Sequence, residues 1–246
     1  MKKFVKVTLT VVFSLLLLGV GGFTYYVVSG TAEAAPQALD ALESTAAVEV
    51  SGGEWLTFTP TAQSPTTAFI FYSGGLVERD AYAPQLHAIA AEGYLVVAPE
   101  LLLNLAFFDS NAAAEIISAY PEIETWVIGG HSLGGVAAAQ FASEHPDIID
   151  GLALWASYPN GDLSAQQLAV VSIYGTADGL VSQENLDTSR TNLPASAEFV
   201  AIEGGNHAQF GSYGPQDGDN PAQITAEEQL AEITAVMSDF LSKIGP

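Results

Sequence analysis

The 246-residue sequence contains no cysteine, which excludes disulfide frameworks, thiolate zinc sites, iron–sulfur ligation, an N-terminal lipid-modified cysteine and a cysteine nucleophile. Basic residues are nearly as scarce. There are 6 against 28 acidic ones, and three of the six, Lys2, Lys3 and Lys6, precede residue 7. From residue 32 onward three basic residues face 28 acidic ones, a balance of −25 that repels phosphate backbones and excludes nucleic acid as a partner. Formal charge is missing altogether from the 26 residues between Lys6 and Glu33. What is present is a 49% hydrophobic composition, enough for one sizeable core and too apolar for a disordered polymer.

The uncharged stretch centres on residues 11–28, VVFSLLLLGVGGFTYYVV. At about 1.5 Å per helical residue it reaches across a hydrocarbon core of roughly 30 Å. The lysines on its N-terminal side predict that this end stays cytoplasmic, and Tyr25 and Tyr26 suit the far interface. Residues 1–34 are therefore expected to be a transmembrane signal anchor or, because Ala32-Glu33-Ala34 has the small-x-small form of a peptidase site, a cleaved signal peptide. Both readings place the remaining chain outside the cytoplasm. Residues 35–45 read as a short spacer, and residues 46–246 as the folded domain.

Past residue 45, short β-branched or aromatic runs alternate with longer alanine-rich stretches, which predicts an α/β fold. Residues 48–50 and 55–59 suggest an opening antiparallel hairpin. Residues 68–72, 94–98, 125–129, 152–156, 169–174 and 198–202 read as parallel strands buried on both faces. Thr225-Ala226-Glu227-Glu228 has the form of a capping box, with Leu230, Ile233, Met237, Phe240 and Leu241 following at helical spacing. In such sheets chemistry is sought beyond the carboxyl ends of the strands.

One strand runs directly into Gly130-His131-Ser132-Leu133-Gly134 and then into an alanine-rich helix, the context that a nucleophile elbow requires. The tight strand-to-helix turn needs neighbours without side chains two positions either side of the serine, and Gly130 and Gly134 meet that need. A serine hydroxyl is a weak nucleophile near neutral pH, so the elbow calls for a histidine base and an orienting carboxylate. Asp178, in the loop after residues 169–174, and His207, in the loop after residues 198–202, follow in the required chain order. The Leu133 amide at the helix start is one candidate donor to an oxyanion. The second belongs to the loop 73–76, where Gly74, Gly75 and Leu76 are candidates. Phe107 and Phe108, within an apolar segment after a strand end, and Phe210 and Tyr213, after His207, are candidates for the substrate pocket. Residues 157–168 are too few for a lid domain. Asp217-Gly218-Asp219-Asn220 lacks the closing glutamate of a calcium loop, so no metal and no cofactor is expected.

These residues resemble the α/β-hydrolase superfamily, specifically the bacterial "α/β hydrolase fold-5" group related to dienelactone hydrolases, over about residues 46–244. The resemblance rests on Phe71-Tyr72-Ser73-Gly74-Gly75-Leu76-Val77, Gly129-Gly130-His131-Ser132-Leu133-Gly134-Gly135, Ser172-Ile173-Tyr174-Gly175-Thr176-Ala177-Asp178-Gly179 and Glu203-Gly204-Gly205-Asn206-His207-Ala208-Gln209-Phe210-Gly211. It implies a mostly parallel sheet flanked by helices and a triad of Ser132, Asp178 and His207. Dienelactone hydrolases proper use a cysteine nucleophile, so serine here favours ordinary ester or thioester chemistry on a small molecule. Acyl transfer on the same triad and a non-catalytic binding module are the alternatives.

Overall fold

The computed structural model describes residues 2–245; Met1 and Pro246, the outer ends of the boundaries read from the sequence, lie outside the described residues. The uncharged N-terminal segment forms one long helix, α1 (Lys2–Gly30). Its portion Thr8–Gly30 is 23 residues long and contains an 18-residue window of mean hydropathy 2.0, apolar and long enough to cross a membrane or to act as a signal. A short helix follows, α2 (Pro36–Asp40), whose Ala38 is fully buried. The spacer expected at residues 35–45 is thus partly packed against the domain rather than a free tether.

Eight strands form one sheet: β1 (Val48–Ser51), β2 (Trp55–Pro60), β3 (Thr67–Tyr72), β4 (Leu95–Pro99), β5 (Thr125–His131), β6 (Gly151–Trp155), β7 (Ala169–Gly175) and β8 (Glu198–Ile202). Their order is β1-β2-β4-β3-β5-β6-β7-β8. β2 is antiparallel to both its neighbours, and every later pairing is parallel. The strands expected from sequence all form, within two residues at each end. They do so because β3 to β6 are buried along their whole lengths, so an uninterrupted apolar run is the pattern that fits.

Alternate residues of these strands feed two cores. Phe69, Phe71, Val127 and Trp155 face α3 (Ala83–Ala91) and α7 (Ala226–Ile244), while Ala68, Ile70, Tyr72 and Ile128 face α4 (Ala112–Ala119) and α5 (Leu133–Glu144). A further helix, α6 (Gln183–Ser189), follows β7. The capping box at the start of α7 is formed: Thr225 Oγ1 accepts from Glu228 N (3.2 Å), and Glu228 Oε2 accepts from Thr225 N (2.8 Å). Ile233, Met237, Phe240 and Leu241 make its buried face, but Gln229 and not Leu230 occupies the first buried position. Between β6 and β7 no helix intervenes, so no cap domain covers the carboxyl ends of the strands.

Candidate active site

Ser132 joins β5 to α5 with φ 51° and ψ −120°, a conformation that costs a non-glycine residue on the order of 1–3 kcal/mol and persists only where its surroundings enforce it. Two hydrogen bonds do so. Ser132 N donates to Trp155 O (2.9 Å), and Ser157 Oγ donates to Ser132 O (2.6 Å). The glycines two residues away are required by contact as well as by the turn. A Cβ on Gly130 would lie 2.5 Å from Tyr72 O and 2.6 Å from Gly134 C, and one on Gly134 would collide with the carbonyl oxygens of Ser73 and Tyr72.

Asp178 and His207 leave the neighbouring strands β7 and β8 on the same rim. His207 Nδ1 lies 2.9 Å from Asp178 Oδ2, with both side chains 1% exposed. The other carboxylate oxygen, Asp178 Oδ1, accepts from Leu180 N (2.7 Å) and Val181 N (2.8 Å), so the acid is held from both sides. A carboxylate at Nδ1 assigns the ring proton to that nitrogen and leaves the lone pair on Nε2. His207 Nε2 is buried and has no hydrogen-bond partner among the described residues. No hydrogen bond joins it to Ser132 Oγ, as is common before substrate closes such a site.

In the loop after β3, two of the candidate oxyanion donors are already engaged. Gly74 N donates to Tyr82 Oη (3.0 Å) and Leu76 N donates to Asn104 O (2.9 Å), so neither amide is available. Gly75 N and Leu133 N make no protein hydrogen bond among the described residues. The two residues face one another, since a Cβ on Gly75 would fall 2.8 Å from Leu133 Cδ2 and 3.3 Å from Leu133 Cβ.

Residues 68–231, well over half of the sequence, match the model of the Alpha/beta hydrolase family. The chain belongs to the alpha/beta hydrolase family. Among curated proteins none matches this hydrolase. Its fold is similar to that of the esterase domain of a Rhodothermus marinus protein (16% identity, 78% of this chain and 93% of that one covered, TM-score 0.60). It is also similar to a dienelactone hydrolase-like promiscuous phosphotriesterase from metagenomic libraries (15%, 77% and 92%, 0.60). A third similar structure is the monoacylglycerol lipase of Paleococcus ferrophilus (13%, 78% and 99%, 0.57).

Not all the aromatic residues expected in this hydrolase's pocket are there. Phe210 is fully buried, stacked on His131 with ring centroids 5.7 Å apart, so it supports the site from behind and is not a pocket wall. Phe107 and Phe108 are 47% and 56% exposed on the surface of the loop after β4, and Phe108 meets Phe23 of α1 edge-on (6.3 Å). Tyr213 is half-buried and borders a cleft of about 470 Å³ together with Gly75 and Leu76.

Three residues that sequence reasoning passed over hold the hydrolase site in shape. The fully buried Tyr82 Oη accepts from Gly74 N and sits 2.8 Å from His131 Nδ1, linking the loop after β3 to the elbow. Burial, followed by repulsion between a proton on this ring and neighbouring His207, pushes His131 well below the ordinary histidine range, so its neutral ring accepts the hydrogen bond of the tyrosine hydroxyl. Asp219 Oδ1 accepts from Gly179 N (2.9 Å) and Oδ2 from Ala208 N (2.8 Å), which ties the Asp178 loop to the His207 loop. Gln229 clamps the residue before His207, accepting from Asn206 N (3.0 Å) and donating to Asn206 O (2.9 Å). Only Gln229 left a signal in the sequence, a polar residue in phase with Ile233, Met237 and Leu241 on a buried helix face.

Proposed function

We propose that this chain is a serine hydrolase that cleaves a carboxylic ester or thioester through an acyl-enzyme, with its folded domain held outside the cytoplasm by α1. The observation that carries this is the buried Asp178–His207 pair with an unpartnered Nε2, set on the same rim as a serine held at φ 51°. In the reaction Ser132 Oγ attacks the substrate carbonyl carbon while His207 Nε2 takes the hydroxyl proton, and Asp178 fixes the ring and stabilises the imidazolium. The carbonyl oxygen becomes an oxyanion that accepts from the amides of Gly75 and Leu133, at the positive end of α5. Collapse breaks the carbonyl–oxygen or carbonyl–sulfur bond, and the leaving group departs with the proton from His207. Water then repeats the sequence on the acyl-enzyme, releasing the acid and restoring Ser132. Similarity of fold to an esterase domain and to a monoacylglycerol lipase agrees with this chemistry.

The lysines before residue 7 orient α1 with its N-terminus in the cytoplasm. An uncleaved anchor fits better than a cleaved signal. Ala32 N donates to Leu76 O (2.7 Å), Glu78 N donates to Ala32 O (3.0 Å) and Ala34 N donates to Glu78 Oε2 (2.9 Å), so the small-x-small residues pack on the domain. The deciding experiment is labelling with a fluorophosphonate followed by mass mapping. Adduct on Ser132, lost in Ser132→Ala and strongly reduced in His207→Ala, is expected. A folded protein that takes no label would overturn the assignment.

A further inference from the structure

The end of α1 and the rim of the site are joined with almost no slack. Two residues after Gly30, Ala32 forms a parallel bridge with Val77, and Ala35 N donates to Ser212 O (2.8 Å), five residues beyond His207. The anchor is therefore fastened to both loops that flank the candidate oxyanion site. Phe23, inside the apolar span, touches Phe108. It precedes Gly30 by seven residues, or about 10 Å of helix. The loop after β4 thus runs alongside the span itself, and it leaves Leu102 (60%), Phe107 (47%) and, despite its contact with Phe23, Phe108 (56%) about half exposed or more. A span of 23 residues is about 35 Å long, so with α1 in a bilayer these side chains lie within the reach of the interface and outer acyl chains.

The cleft of about 470 Å³ has Tyr26, Gly30 and Ala32 on its anchor side and Gly75, Leu76 and Tyr213 on its site side. It lies between α1 and the loop after β3 that carries Gly75. The domain's charges state which lipid it suits. Arg79 is committed to Asp80 and to the carbonyls of Gly53 and Glu54, Arg190 to Asp187 and the Phe199 ring, and Lys243 to Glu198 and Asp239. None is left to hold an anionic headgroup, and Asp217 also borders the cleft. We infer that the domain lies face-down on the outer leaflet, wedged by Leu102, Phe107 and Phe108, and draws from that leaflet a long-chain ester with an uncharged headgroup. This rests on the hydrolase reading for the chemistry, but not for the docking.

The absence of native cysteine makes the test direct. In the full chain reconstituted in phosphatidylcholine vesicles, a nitroxide on Leu102→Cys is expected to collide at least fivefold more with dissolved oxygen than with an aqueous nickel chelate. A nitroxide on Gln140→Cys, exposed on α5, is expected to show the reverse. A label at 102 as accessible to nickel as the one at 140 overturns the docking. So does protection at 102 that persists in detergent with a crosslinked dimer, which would make a second copy the occupant. For the substrate, a fluorogenic long-chain glycerol ester carried in the vesicles is compared with soluble p-nitrophenyl acetate. Leu102→Asp is expected to lower turnover of the vesicle-borne ester at least tenfold relative to the soluble one, and an unchanged ratio overturns the leaflet as source. Turnover of neither ester, with no label on Ser132, sinks the hydrolase reading and the substrate with it, and the nitroxides alone then decide the docking.

Discussion

Asp219 offers a sharp test of how the site is held, because it touches neither Ser132 nor the imidazole. Besides the amide of its own neighbour Asn220, its two oxygens accept one amide from each of two loops, Gly179 N next to Asp178 and Ala208 N next to His207. A hydrogen bond to a charged acceptor contributes about 1.5–3 kcal/mol, and since Asp219 is half-exposed the lower end applies, roughly 2–3 kcal/mol for the pair. At about 1.4 kcal/mol per factor of ten, Asp219→Ala should lower kcat by about 30- to 140-fold if the loosened loops are felt fully in the transition state. KM should change little. Asp219→Asn keeps one acceptor oxygen and should recover about half of the lost free energy. The assay is steady-state hydrolysis of p-nitrophenyl acetate by both variants, with thermal unfolding measured alongside. Activity of Asp219→Ala within twofold of the parent, or an equal loss in Asp219→Asn, would refute the idea that this carboxylate sets the spacing of the acid and the base.

Tyr82→Phe removes one oxygen and strands two buried groups, Gly74 N and His131 Nδ1, at a cost of about 1–3 kcal/mol each in the worst case. We expect a fold that survives with a lowered melting temperature and a kcat reduced about tenfold, and unchanged kcat would show that Gly74 needs no such brace. The pH dependence of stability follows from His131, which Tyr82 and His207 face. Its native-state pKa is depressed by burial, whereas in the unfolded chain it titrates near the ordinary 6.5, so protons bind the unfolded state preferentially as pH falls below that value. Stability is complete above about pH 6.5 and should fall by up to roughly 1.4 kcal/mol per pH unit below it, measured by urea unfolding between pH 7 and 5.5. His131→Gln should flatten that slope, and an identical slope would place its origin elsewhere.

The strands, the elbow and the positions of Asp178 and His207 were legible because each is a local pattern: an apolar run closed by glycine or a polar turn. The contacts that join loops distant in sequence had no such pattern. Tyr82 meets His131 from 49 residues away, and Asp219 sits in the run Asp217-Gly218-Asp219-Asn220, which the sequence presents only as an incomplete calcium loop. The apolarity of residues 101–108 makes Phe107 and Phe108 pocket candidates but fits a buried loop or a short core helix as well. The segment folds into two short turns, with Leu103 and Asn104 both at positive φ, that place Phe108 against Phe23 of α1. The alanines of residues 32–38 carry a small-x-small pattern in the sequence, and only the structure shows that their small side chains permit contact with Leu76, Glu78 and Ser212.

The clamp of Gln229 on Asn206 sets an order of events during biosynthesis. The helix α1 is translated first, then the elbow, Asp178 and His207, but the residue that fixes the backbone beside His207 lies 23 positions after Asn206. Until α7 has been made and docked, the imidazole's own segment lacks both of these bonds, so a nascent or truncated chain carries every triad candidate without the brace that aligns them.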